Sequence, residues 1–303
     1  MFEGSMVAIV TPFKDGKVDE PALRALIDRQ IAAGTSAIVP CGTTGESATL
    51  THEEHDRVIA ITVEQAAGKV KVLAGAGSNA THEAVRLNKA AKKTGADGTL
   101  HITPYYNKPT QEGLYQHFKT VAASADIPVI MYNVPGRTSV NMTSETVARL
   151  AQIDTIVGIK EASGSLEQIK KIIETTPKKF TVLSGEDAQT LEILELGGRG
   201  AISVTANVVP KDCALQWEYF RSGKRKEAKE LDKKLQPLHD AMFFETNPIP
   251  VKAALSMMGL IREEYRLPMV LMAAANREKL TAALRNYGIK ISPSLEGRGP
   301  GGG

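Results

Sequence analysis

Eight short apolar runs recur along the chain, and their spacing limits the possible folds more than any other feature. They are Met6–Thr11, Ala37–Pro40, Val70–Gly75, Gly98–Thr103, Val129–Tyr132, Ile156–Lys160, Phe180–Ser184 and Gly200–Val204. Most are rich in β-branched or other apolar residues, and many close on Gly, Pro, Ser or Thr. Without polar alternation, such runs fit strands buried on both faces. Helical patterns lie between them. Glu20–Ala33 carries Leu23, Leu26, Ile27 and Ile31 at helical spacing, and Thr51–Ala67 opens with Thr51 and, three residues on, Glu54, a capping-box pattern. Eight strand–helix units in succession predict an α/β fold, a closed (β/α)8 TIM barrel. A doubly wound open sheet is the alternative, but its GxGxxG fingerprint after the first strand is missing.

After Pro210 the strand-like runs stop. Lys211–Arg221, Lys224–Phe244, Pro248–Met258 and Pro268–Tyr287 read as helices. The expected organisation is a barrel over residues 1–224, a C-terminal helical extension over 225–290, and a disordered Gly/Pro-rich tail over 291–303. The extension is too small to bury a core of its own and should pack on the barrel or on another subunit.

Composition excludes several classes of function. The 37 basic and 34 acidic side chains leave a net charge of +3 with no basic stripe, so no nucleic-acid partner is expected. The densest basic stretch, Arg221 to Lys234, is laced with acids and reads as a solvated helix face. No apolar run approaches the roughly 18 residues of a membrane span, and the N-terminus lacks the basic and apolar regions of a secretion signal. Cys41 and Cys213 make neither a CxxC nor a metal-ligand spacing, which points to a reducing, cytoplasmic setting. His52-Glu-Glu-His55 places two imidazoles one helical turn apart but is not the HExxH pattern, and no metal is expected. No cofactor-binding motif stands out either.

In a barrel of this kind chemistry gathers at the C-terminal ends of the strands. Lys160 ends a run otherwise built for burial, and a desolvated lysine loses preference for its charged form, freeing its amine to attack a carbonyl. By position alone, a lysine snorkelling to solvent is the commoner case. Tyr132 ends the preceding run and could shuttle protons beside such an imine, with Tyr106 and Thr43 relaying them onward. The glycines flanking Thr43-Thr44 allow a backbone nest for a carboxylate, or simply a tight turn. Arg137, after Pro135-Gly136, could clamp a second carboxylate, although most loop arginines are merely solvated.

Longer blocks narrow these options. GTTGESATL at 42–50, TPYYNKPTQEGLYQHF at 103–118, YNVPGRT at 132–138, GIKEASG at 158–164, SGEDA at 184–188, GAISVTAN at 200–207 and NPIPVKAAL at 247–255 resemble the dihydrodipicolinate synthase family over about residues 1–288. The resemblance implies that Lys160 forms the Schiff base with pyruvate and that Tyr132 is the central acid–base group. It implies that Thr43 and Tyr106 complete the relay, with Tyr106 reaching in from a neighbouring subunit. Thr43 and Thr44 would hold the pyruvate carboxylate, Gly185 and Ile202 would line the pocket, and Arg137 would grip aspartate-4-semialdehyde. A homotetramer built of two tight dimers is implied, as is feedback by L-lysine at Ser47, Ala48, His52, His55, Asn79, Glu83 and Tyr105. The alternative within the same superfamily is a lyase for N-acetylneuraminate or a 2-keto-3-deoxy sugar acid, against which Arg137 argues. His101 departs from the family pattern, which carries an aliphatic or small residue there. Facing inward it would add a polar group near the pocket; facing the helices it would need a hydrogen-bond partner.

Overall fold

A computed structural model describes residues 2–292. The segment expected to form a disordered tail therefore lies, from residue 293 onward, outside the described residues. The eight runs form eight strands: β1 Gly4–Ala8, β2 Ala37–Val39, β3 Lys71–Gly75, β4 Gly98–Ile102, β5 Val129–Asn133, β6 Ile156–Glu161, β7 Thr181–Ser184 and β8 Gly200–Ser203. They pair in parallel and close into a barrel, β1 bonding to β2 on one side and to β8 on the other. At the β1–β8 seam Gly4 sits opposite Gly200. A Cβ on Gly200 would lie 2.2 Å from the Gly4 carbonyl oxygen, and its φ of +146° lies outside the range of ordinary side chains, so the seam requires glycine there. Asn207 ties the same seam: its side-chain oxygen accepts from the Val10 N–H and its amide donates to the Ala8 carbonyl.

The two-residue period of each strand sorts side chains between two layers. In β5, Ile130 and Tyr132 point into the barrel with Met6, Leu73, Leu100 and Leu183. Val129 and Met131 point outward and pack with Phe118, Val147 and Ile159 beneath the helices. Each such side chain, once buried, contributes about 1.5–3 kcal/mol.

The surrounding helices are α1 Glu20–Ala32, α2 His52–Ala66, α3 Thr81–Thr94, α4 Gln111–Ala123, α5 Ser144–Leu150, α6 Leu166–Thr175, α7 Thr190–Leu196 and α8 Pro210–Arg221. The capping box at α2 has both arms: the Thr51 hydroxyl accepts from the Glu54 N–H, and the Glu54 carboxylate accepts from the Thr51 N–H. Three further helices follow, α9 Arg225–Ala241, α10 Ile249–Met257 and α11 Ala274–Tyr287. Every residue of α10 is buried.

Two local expectations change. The last helix starts at Ala274 rather than Pro268, and residues 264–273 are irregular apart from a turn at 267–268. Their composition favours helix, but Pro268 disfavours helical geometry at Leu267, and Arg266 is bound by the barrel at Glu54, Thr49 and Gly16. A small hairpin, Phe13–Lys14 against Lys17–Val18, was not anticipated. Its turn residues Asp15 and Gly16 both have positive φ, as a type I′ turn demands, and the Asp-Gly pair was the available signal.

Candidate active site

Lys160 and Tyr132 occupy the penultimate positions of β6 and β5, and the strand register sets them side by side. Both face inward, and the Lys160 amine lies 4.3 Å from the centre of the Tyr132 ring. Lys160 is only 6 % exposed. Among the described residues no carboxylate comes within ion-pair distance of its amine; Asp187 and Glu186 act on it from farther away. Burial lowers its pKa to about 8, against the opposing pull of Asp187 and then Glu186. At pH 8 half of such amines are free, compared with roughly one in 300 at the ordinary lysine value.

The neighbours make room for this side chain. A Cβ on Gly185, just past β7, would lie 2.7 Å from the Ala162 Cβ and 3.0 Å from the Lys160 Cε. Ile202 on β8 supplies an apolar wall within the barrel. Burial pushes the Tyr132 phenol up to about 12, against the pull of Arg137 and of the nearby Thr43 side chain.

Thr43 sits on the turn after β2, which is closed by the Gly45 N–H donating to the Gly42 carbonyl and the Glu46 N–H to the Thr43 carbonyl, both at 3.1 Å. The turn crosses β3 closely: a Cβ on Gly75 would come within 2.1 Å of the Cys41 carbonyl oxygen. Thr44 is buried, and its hydroxyl accepts from the Asn247 amide at 3.0 Å. Arg137 lies on the helical turn Pro135–Thr138, its guanidinium 3.5 Å from the Asn247 carbonyl.

A cavity of about 660 Å³ opens beside this cluster; Lys160, Thr44, Gly185 and Ile202 lie behind the residues that line it. Its lining includes Thr43, Tyr132 and Arg137, and a second group of Ser47, Ala48, His52, His55, Glu83 and Tyr105. In that second group the His52 imidazole is 3.4 Å from the Glu83 carboxylate, which also accepts from the Ser78 hydroxyl. Asn79 donates to the Tyr105 carbonyl at 3.2 Å. His55 is buried, which lowers its pKa, and its Nδ1 lies 3.7 Å from Asp56. Tyr106 stands apart. It is 90 % exposed, has a φ of +71°, and does not line the cavity.

The sequence reading missed Asp187, whose Oδ2 accepts from the Val204 and Thr205 N–H groups at 2.9 Å each. It also missed Asn247, the partner of Thr44. Both lie in blocks quoted above, but nothing local marks their roles. Glu161, next to Lys160 in sequence, points away from it and is fully buried, with both oxygens accepting from the Asn133 amide. His101 faces the helices, in register with the outward Met131, and its Nε2 lies 3.2 Å from Asn88 Oδ1. Burial lowers its pKa to about 3, so it stays neutral and outside the pocket. Among the described residues no group of three or more His, Cys, Asp or Glu side chains converges as a metal site, and no helix is long and apolar enough to cross a membrane.

A buried lysine without a counter-ion, beside an inward tyrosine at the C-terminal mouth of a (β/α)8 barrel, is the arrangement of a Schiff-base-forming lyase of the class I aldolase type. The chain belongs to the dihydrodipicolinate synthetase family, which matches residues 1–287. It is 58 % identical to the 4-hydroxy-tetrahydrodipicolinate synthase of Syntrophus aciditrophicus over 95 % of this chain and 99 % of that protein. Its fold superposes on the dihydrodipicolinate synthase of Acinetobacter baumannii complexed with pyruvate, with a TM-score of 0.94, 47 % identity, and coverage of 96 % of this chain and 100 % of that one. The Cyanidioschyzon merolae enzyme with lysine bound gives a TM-score of 0.93 at 41 % identity, covering 95 % of this chain and 99 % of that one.

Proposed function

We propose that Lys160 carries pyruvate as a Schiff base and that the chain condenses it with L-aspartate-4-semialdehyde, the reaction of 4-hydroxy-tetrahydrodipicolinate synthase in lysine and diaminopimelate biosynthesis. The Lys160 amine adds to pyruvate C2, and the carbinolamine loses water to give the imine. Removal of a C3 proton gives an enamine whose carbon attacks the aldehyde. The amino group of the semialdehyde then adds to C2 and expels Lys160, so that one water leaves per product. Tyr132, with the Thr43 side chain beside it, handles these protons. Thr43 and Thr44 hold the pyruvate carboxylate against the wall formed by Gly185 and Ile202, and Arg137 receives the carboxylate of the second substrate.

Tyr106 completes the relay from a partner chain in a homotetramer of two tight dimers; its exposed ring on a backbone held at positive φ supports that reading. L-Lysine binds between Glu83, His52, His55, Asn79, Tyr105, Ser47 and Ala48, a reading supported by the lysine-bound relative. Two free cysteines fit a cytoplasmic setting. The single observation carrying the proposal is the buried Lys160 in register with Tyr132. The test is a condensation assay of the intact protein with pyruvate and aspartate-4-semialdehyde, run beside N-acetylmannosamine and sugar-aldehyde acceptors. Turnover with the semialdehyde alone supports the synthase; turnover only with a sugar acceptor replaces it with a sugar-acid lyase.

A further inference from the structure

A second charged cluster lies behind the Thr43–Thr44 turn. Glu46, two residues past Thr44, has a left-handed φ of +53° and turns its carboxylate inward. There it meets the Lys252 amine of α10 at 2.5 Å, with both side chains almost wholly shielded from solvent. The same amine lies 4.3 Å from the centre of the Phe13 ring and 5.1 Å from that of Tyr265. The second Glu46 oxygen accepts from the Arg266 N–H at 3.3 Å, and the Arg266 guanidinium donates to the Thr49 carbonyl at 3.0 Å. With the Asn247–Thr44 bond, residues 247–266 therefore grip residues 44–49 at four points.

A buried ion pair is a poor way to add stability, because desolvation takes back most of the attraction and an apolar pair of equal volume does as well or better. α10 is otherwise suited to an apolar side chain at this position, since all its residues are buried. What the pair adds is direction. A carboxylate tied to one fixed cation and one fixed N–H cannot rotate, and Glu46 is bonded through its own N–H to the Thr43 carbonyl.

We infer that the Glu46–Lys252 pair, seated between Phe13 and Tyr265, is a positioning device through which the C-terminal helices hold the Thr43–Thr44 turn in its pyruvate-binding geometry. Glu46 and Lys252 are positioning residues: Glu46 borders the cavity, but its two oxygens are taken by the Lys252 amine and the Arg266 N–H. The inference rests on the reading of the turn as the carboxylate site.

The test is the double substitution Glu46→Gln/Lys252→Met, which removes both charges and leaves no unpaired ion. With the fold verified by near-ultraviolet circular dichroism, KM for pyruvate should rise about tenfold or more. The borohydride-trapped imine should still reach full occupancy at saturating pyruvate, and the pH midpoint of its formation should not move. A lowered melting temperature with unchanged KM for pyruvate would reduce the pair to a structural role and overturn the inference. If the double variant does not fold, Asn247→Ala cuts one arm of the same clamp, and its KM for pyruvate is read in the same way. Thr44→Val serves as a separate control. An unchanged KM in that variant counts against the carboxylate role of Thr44, whereas a raised KM there with none in the clamp variants sinks the positioning role alone.

Discussion

Among the described residues two lysines are buried, each with its amine 4.3 Å from the centre of an aromatic ring, and they have opposite fates. Lys252 has a carboxylate at 2.5 Å, so its charge is matched where it lies. Lys160 has no such partner among the described residues and lies against Tyr132, which lines the cavity together with Thr43 and Arg137. Burial lowers the pKa of both, but for Lys252 Glu46 opposes it through charge and a hydrogen bond. Burial alone thus does not make a nucleophile. The site also needs an absent counter-ion and an opening through which a carbonyl can reach the free amine.

The sharpest way to break this comparison is to remove each amine. Lys160→Ala should abolish borohydride trapping of pyruvate and lower turnover by at least about 10³-fold, whereas Lys252→Met should still trap. A protein that traps pyruvate equally well without Lys160 would reassign the nucleophile. Lys252→Met alone, which strands Glu46 in the interior, should cost about 3–5 kcal/mol of stability in urea unfolding. A loss below about 1 kcal/mol would mean that water already solvates the pair. Tyr132→Phe should slow turnover about 10²–10³-fold while pyruvate still becomes trapped, separating proton handling from imine formation. The smallest effect concerns pH. Only the free amine reacts, so imine formation should rise with pH and level off above about 8. Asp187 favours the charged form of Lys160, so Asp187→Asn should move that midpoint lower, by up to about one unit. A midpoint that stays put would show that Asp187 serves the backbone of residues 204–205 and not the lysine.

The sequence shows its local order most plainly. The eight strands follow from runs of apolar residues that only a doubly covered sheet can bury, and the α2 cap follows from residues three apart. Lys160 and Tyr132 were legible because each ends a run and consecutive strands are neighbours. His101 could not be oriented until the register placed it level with Met131. Glu46, Asn247 and Asp187 were opaque for a different reason. Their partners are set by the packing of distant segments, and no period or spacing encodes a contact such as that between residues 46 and 252. The error at 268–273 has the same root: a helix-favouring composition lost to tertiary contacts around Arg266.

The clamp across those distant segments also has a consequence in time. Lys160 and Tyr132 lie 28 positions apart and can meet as soon as two neighbouring strands pair. The Glu46–Lys252 contact, which ties the turn carrying Thr43 to α10, must wait for a residue 206 positions downstream of Glu46. At ordinary rates of synthesis that wait is on the order of 10–40 s. A nascent chain can therefore pair the strands that carry Lys160 and Tyr132 well before the Glu46–Lys252 contact can close on the turn after β2.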